Sequence, residues 1–128
     1  MTDPERTQWV RYAADCAERV VHLAGEYRPQ AEAAIRAARA WADDPTEKRL
    51  LECGKADSDA RVFDSDCAAN AADAAAYAAR TAIDPAASVE ARGKAAEAAA
   101  KAAAATEYEK ERAWQKERRR FYGLEAKP

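Results

Sequence analysis

Three groups of residues have the types and spacing that chemistry needs. Asp66, Asn70 and Asp73 fall on successive turns of an expected helix. Side-chain oxygens so placed could hold a metal ion or serve in acid–base catalysis. A metal site inside a helical bundle draws Glu-x-x-His pairs from several helices, and this chain has one histidine, His22, and no such pair. The plainer expectation is a solvated acidic face, or carboxylates paired with Arg36, Arg39 or Arg80. His22 could be a general base, but no nucleophile stands near it in sequence for it to activate, so a structural or surface histidine is expected. The run KERAWQKERRR (Lys110 to Arg120) mixes bases with Trp114 and could touch phosphates. Glu111 and Glu117 interrupt it in the manner of a solvated helix with paired charges, which argues against a nucleic-acid interface. No glycine-rich phosphate loop, GxSxG elbow or catalytic-cysteine context is present. The expectation is therefore no enzyme, no catalytic residue, no metal and no cofactor.

The elements that would carry such residues are helices. About three residues in ten are alanine, the best helix former because it loses no side-chain entropy on ordering. Four glycines and five prolines are too few for the turns of a β sandwich or barrel. A first helix is expected from Pro4, capped by Asp3, to about Tyr27. Its apolar stripe is Trp9, Tyr12, Ala13, Cys16, Val20, Leu23, Ala24 and Tyr27. A second is expected from Gln30 to Ala42, with Ala31, Ala34, Ile35, Ala38 and Trp41 inward. Asp44-Pro45 reads as a stop and a start, with Asp44 capping a short helix to Cys53 and Gly54 closing it. A third helix is expected from Asp57 or Ser58 to Ala82. Phe63, Cys67, Asn70, Ala74, Tyr77 and Thr81 recur along it as a heptad-like seam that could receive a neighbouring helix, including one from a second copy. Pro85 to Phe121 reads as helix with a break near Thr106, and Val89, Ala96, Ala99 and Ala103 face inward on its first part. The fold class is all-α: a single domain over 1–128, a compact bundle of five to six antiparallel, alanine-rich helices with a basic tail from about 116. Trp9, Tyr12, Trp41, Phe63, Tyr77 and Trp114 are its expected space-fillers.

Charge is balanced overall, at −2, but unevenly distributed. Acids exceed bases from Asp43 to Asp73, while the stretch after Lys110 is basic. The three cysteines, Cys16, Cys53 and Cys67, are widely spaced with no CxxC, so reduced thiols packed as small hydrophobes are expected. The opening MTDPERTQWV has no apolar stretch of the kind a signal peptide needs, and no long apolar run suggests a membrane span. Cytoplasmic location is the expectation.

The segments AADCAERVVHLAGEY, RP, AIRAARAWA and EKERAWQKERRRFY together resemble the alanine-rich immunity-protein family of bacterial polymorphic-toxin systems. The matching positions are Cys16, Glu18, Arg19 and Val20; Arg28 and Pro29; Ile35, Ala38, Arg39, Ala40, Trp41 and Ala42; and Glu111, Trp114 and Gln115. The resemblance implies a non-catalytic protein that binds a cognate toxin, with Cys16, Arg19, Arg39, Trp41, Trp114 and Gln115 as structural positions. Arg19, Arg39 and Gln115 are expected in buried structural pairs. A toxin that attacks nucleic acid is basic, so an acidic surface would speed its capture. Asp43, Asp44, Glu52, Asp57, Asp59 and Asp64 are the expected contact residues. A self-associating assembly protein, a homodimer through the alanine seam, or an accessory subunit of a larger complex are the alternatives.

Overall fold

The first helix buries Tyr12, Ala13, Cys16 and Val20 of the stripe read from the sequence but stops about two turns before Tyr27. The computed structural model describes residues 4–60, 67–83 and 108–124. In it, α1 (Pro4–Val20) gives way to two 3₁₀ turns, Val21–Leu23 and Gly25–Tyr27. Gly25, at φ 57°, supplies the left-handed residue that turns the chain between them. The chain then enters α2 (Arg28–Asp43), with Pro29 in its first turn. Ala31, Ala34, Ile35, Ala38, Trp41 and Ala42 are buried, as their spacing predicts.

Asp44 leaves helical space ahead of Pro45, and α3 (Glu47–Ala60) starts after a three-residue link. Its cap is not Asp44 but Thr46, whose hydroxyl accepts the Arg49 backbone N–H at 3.3 Å. The expected stop at Gly54 does not occur either. Cys53, Ala56, Asp57 and Ala60 form an i, i+3, i+4, i+7 stripe that is buried, and this carries the helix through the glycine. The long third helix read from Asp57 is thus two elements, α3 and then α4 (Cys67–Ile83).

Helix α4 is the centre of the fold, with α1, α2 and α3 packed around it. Ala72, Ala74, Ala75, Ala76, Ala78, Ala79 and Ala82 are all buried, so methyl groups line nearly every side of the helix. Buried Thr81 donates its hydroxyl back to the Tyr77 carbonyl at 2.8 Å. Of the expected space-fillers, Tyr12 and Trp41 are buried; Trp9, Tyr77 and Trp114 are half-buried against the core. The Arg6 guanidinium stacks 5.1 Å from the Trp41 ring and donates to the Ala82 carbonyl, tying α1, α2 and α4 together.

The last described helix, α5 (Tyr108–Phe121), lies against α1. It ends in a Schellman arrangement: Gly123, at φ 72°, and Leu124 return their N–H groups to Arg120 and Arg119 at 3.0 and 2.8 Å. Leu124 is buried beneath that turn. The five described helices and the absence of any strand among the described residues make the fold an all-α bundle, as composition implied. The Asp3 cap, Phe63, the helix start at Pro85, the inward set Val89 to Ala103 and the break near Thr106 lie outside the described residues, as do the side chains of Cys67 and Asn70.

Two substitutions test this packing. A Cβ at Gly54 would meet nothing within 4 Å, so Gly54→Ala should raise stability by about 0.5–1 kcal/mol. Trp41→Ala should cost about 3–5 kcal/mol. Urea denaturation of both variants measures the two changes.

Candidate functional site

The ionic groups of this chain divide into two sets. One set is satisfied inside the molecule, mostly where α5 meets α1. Asp15, near the middle of α1, is the hub. Its Oδ1 accepts from Arg39 Nη2 at 2.7 Å. Its Oδ2 accepts from Arg118 Nε at 2.7 Å and from the Tyr122 hydroxyl at 2.6 Å. Arg39 also donates to Glu18. One turn along α1, Arg19 Nε donates to both oxygens of buried Glu111 at 2.9 Å and lies 4.0 Å over the Trp114 ring. Arg119 donates to the Tyr12 hydroxyl at 3.0 Å. Gln115, fully buried, accepts from Arg112 at 3.0 Å.

This arrangement holds α5 in place, and its groups are poised against reactivity. Burial pushes the Cys16 thiol up to about 12, with Glu111 and Asp15 adding to the effect. Burial likewise lifts Cys53 to about 11, and its thiol donates to the Ala37 carbonyl at 3.3 Å. Both are buried free cysteines, packed as small apolar groups. Burial alone would raise the Asp15 carboxyl, but hydrogen bonds from Tyr122, Arg39 and Arg118 outweigh it and hold the group below its ordinary value.

The second set is unsatisfied and lies on the outer face of the α2–α3 hairpin. An open groove of about 410 Å³ runs between these helices. Its α2 wall is Ala33, Arg36, Ala37 and Ala40; its α3 wall is Glu52, Lys55, Ala56 and Asp59. Each wall repeats i, i+3, i+4, i+7, so each is one face of one helix. Among the described residues Arg36, Glu52, Lys55 and Asp59 make no hydrogen bond or ion pair, and Arg36 is alone in this among the described arginines. Leu51, 71% exposed, precedes Glu52 on α3 but is not among the groove-lining residues.

The six acids read from sequence as contacts separate on folding. Glu52 and Asp59 line the groove. Asp43 and Asp44 are exposed but paired, with Arg11 at 3.2 Å and Arg49 at 3.4 Å. Asp57 corrects the expectation: only 5% exposed, it faces α4 and binds the Arg80 guanidinium at 3.2 and 3.4 Å, so it serves the core. Asp64 lies outside the described residues, as does Asp66. Asp73 is half-buried and already partnered, and among the described residues no group of three His, Cys, Asp or Glu could hold a metal ion. His22 is exposed in the first 3₁₀ turn.

Of the seam read as a meeting place for a second copy, only Ala74, Tyr77 and Thr81 have described side chains, and none of them is exposed. Ala74 and Thr81 are buried, and no residue from Ala72 to Ile83 is exposed. The basic run is also reassigned, because Arg118 and Arg119 turn inward to α1 instead of forming a solvated tail. Sequence reading missed Asp15 as the acceptor and Arg36 and Lys55 as groove cations. The matched spacings of Ala33, Arg36, Ala37 and Ala40 with Glu52, Lys55, Ala56 and Asp59 were the available signal.

No helix among the described residues is long and apolar enough to cross a membrane. Compared with protein-family models, curated proteins and solved structures, the chain matches none.

The lowered Asp15 value sets a pH dependence. Its stabilisation is present above the unfolded value, about 3.9, and is lost as pH falls through the lower folded value. Asp15→Asn should cost about 2–4 kcal/mol at pH 7, because three donors lose their charged acceptor. The gap between the variant and the parent should narrow below about pH 4. Urea midpoints measured from pH 7 down to pH 3 check both statements.

Proposed function

We propose that this chain is a non-catalytic protein-binding module, an immunity protein that neutralises a cognate bacterial toxin in the cytoplasm by direct binding. The observation that carries the reading is the α2–α3 groove: four charged side chains without a partner among the described residues, set along an alanine surface. Unpaired charges beside accessible small apolar side chains suit a protein interface, where complementary charge guides encounter. Such charges also contribute little to the fold that carries them. The groove itself carries two acids, Glu52 and Asp59, and two bases, Arg36 and Lys55. The acidic excess of the sequence from Asp43 to Asp73 suits a basic partner such as a toxin domain that attacks nucleic acid. The sequence resemblance points the same way. The buried, high-pKa thiols and the fully engaged α1–α5 network support a structural role for Cys16, Arg19, Arg39, Trp41, Trp114 and Gln115.

The test is purification of the tagged full chain from its native host, followed by a growth assay. One stoichiometric partner is expected that arrests growth when expressed alone and is harmless when co-expressed with this chain. Recovery of the chain alone, or a partner whose toxicity is unchanged by co-expression, would overturn the reading.

A further inference from the structure

From the order of charges along the α2–α3 groove, we infer the kind of segment it receives: a partner α-helix with a small-residue face, one acid at its centre, and a base one turn to either side. This inference takes the groove as the binding face proposed above and rests on that reading. The contact between the Cys53 thiol and the Ala37 carbonyl fixes which residues of the hairpin stand level. Counting one turn either way from it, Arg36 and Lys55 face each other across the middle of the groove. Glu52 lies toward the Ala40 end and Asp59 toward the Ala33 end. Glu52 and Asp59 are seven residues apart, about 10 Å along α3. The groove therefore reads acid, two bases, acid, in steps of roughly one turn.

The two central bases have like charge and no acid of their own chain bonded to them. A single carboxylate between them would satisfy both, and bases one turn away on the same helix would meet Glu52 and Asp59. The alanine floor lets another helix approach closely, and the i, i+3, i+4, i+7 walls match the ridge spacing of a packed helix. Such a helix carries two bases for each acid, which agrees with a basic partner.

The probe is a 20-residue alanine-based helical peptide with Lys, Glu and Lys at successive turns of one face, titrated into the ¹⁵N-labelled full chain. Saturable amide shifts are expected at Ala33, Ala37, Ala40 and Ala56. A peptide with Glu, Lys and Glu at the same positions should bind about tenfold more weakly or worse, since four exposed pairs turn from attractive to repulsive. The double variant Arg36→Glu with Lys55→Glu should weaken the first peptide's binding by a similar factor. Equal binding of both peptides, no binding, or shifts centred on α5 would overturn the inference. So would shifts at the groove that depend on protein concentration without peptide, which would assign it to a second copy. Failure of the two readings is separable. A neutralised toxin whose footprint avoids the groove defeats this inference alone, and a docked peptide with no toxin neutralised defeats the immunity reading alone.

Discussion

A central helix whose described buried side chains are all alanine but for Thr81 governs this fold. Helix α4 gives the interior almost nothing but Cβ atoms, so α1, α2 and α3 must approach its backbone closely to leave no voids. The volume that remains is filled by a few large groups, chiefly Tyr12, Trp41, Val10 and Ile35. Alanine buries little apolar area per residue, so each helix contact is weaker than one made through leucine. That shortfall explains the number of arginines that cross between elements. Arg6 joins α1 to α2 and α4, Arg11 joins α1 to the end of α2, and Arg80 joins α4 to α3.

The same constraint reaches its limit in α5, which has few apolar side chains to dock. It is held instead by directed polar contacts from Glu111, Arg118, Arg119 and Tyr122, with Trp114 covered by Arg19. Because every one of these groups needs a partner at a fixed distance, they specify one orientation of α5 on α1. Against that background the α2–α3 groove stands apart. Its charges meet no partner among the described residues, and its alanines resemble the surface that packs helices elsewhere in the molecule. That combination is what the proposed binding function rests on.

Much of this was legible in the sequence where apolar spacing was regular. The buried set of α2, the start of α1 at Pro4 and the burial of Tyr12 and Trp41 followed from period and punctuation. Boundaries failed where one local signal competed with a stripe. Gly54 read as a stop, but the buried run through Cys53, Ala56, Asp57 and Ala60 outweighed it. Asp44 read as a cap because it precedes proline, while Thr46 sat two residues closer to the helix. The site was less legible for a physical reason. Whether an acid is free or engaged depends on what the fold brings opposite it. Asp57 and Asp59 look alike in sequence, yet one binds Arg80 in the core and the other faces the groove. Asp15 drew no notice because two of its three partners, Arg118 and Tyr122, come from over a hundred positions away in the chain.

The division of charges into those that hold the fold and those that await a partner can be measured directly by thermal melting. The measurement compares the native chain with one carrying Arg36→Glu, Glu52→Lys, Lys55→Glu and Asp59→Lys together. These residues bond to nothing among the described residues, so the melting temperature should move by less than about 2 °C. A fall of many degrees, comparable with breaking the bonds of Asp15, would show that the groove charges serve the fold, and would contradict their assignment to a binding face.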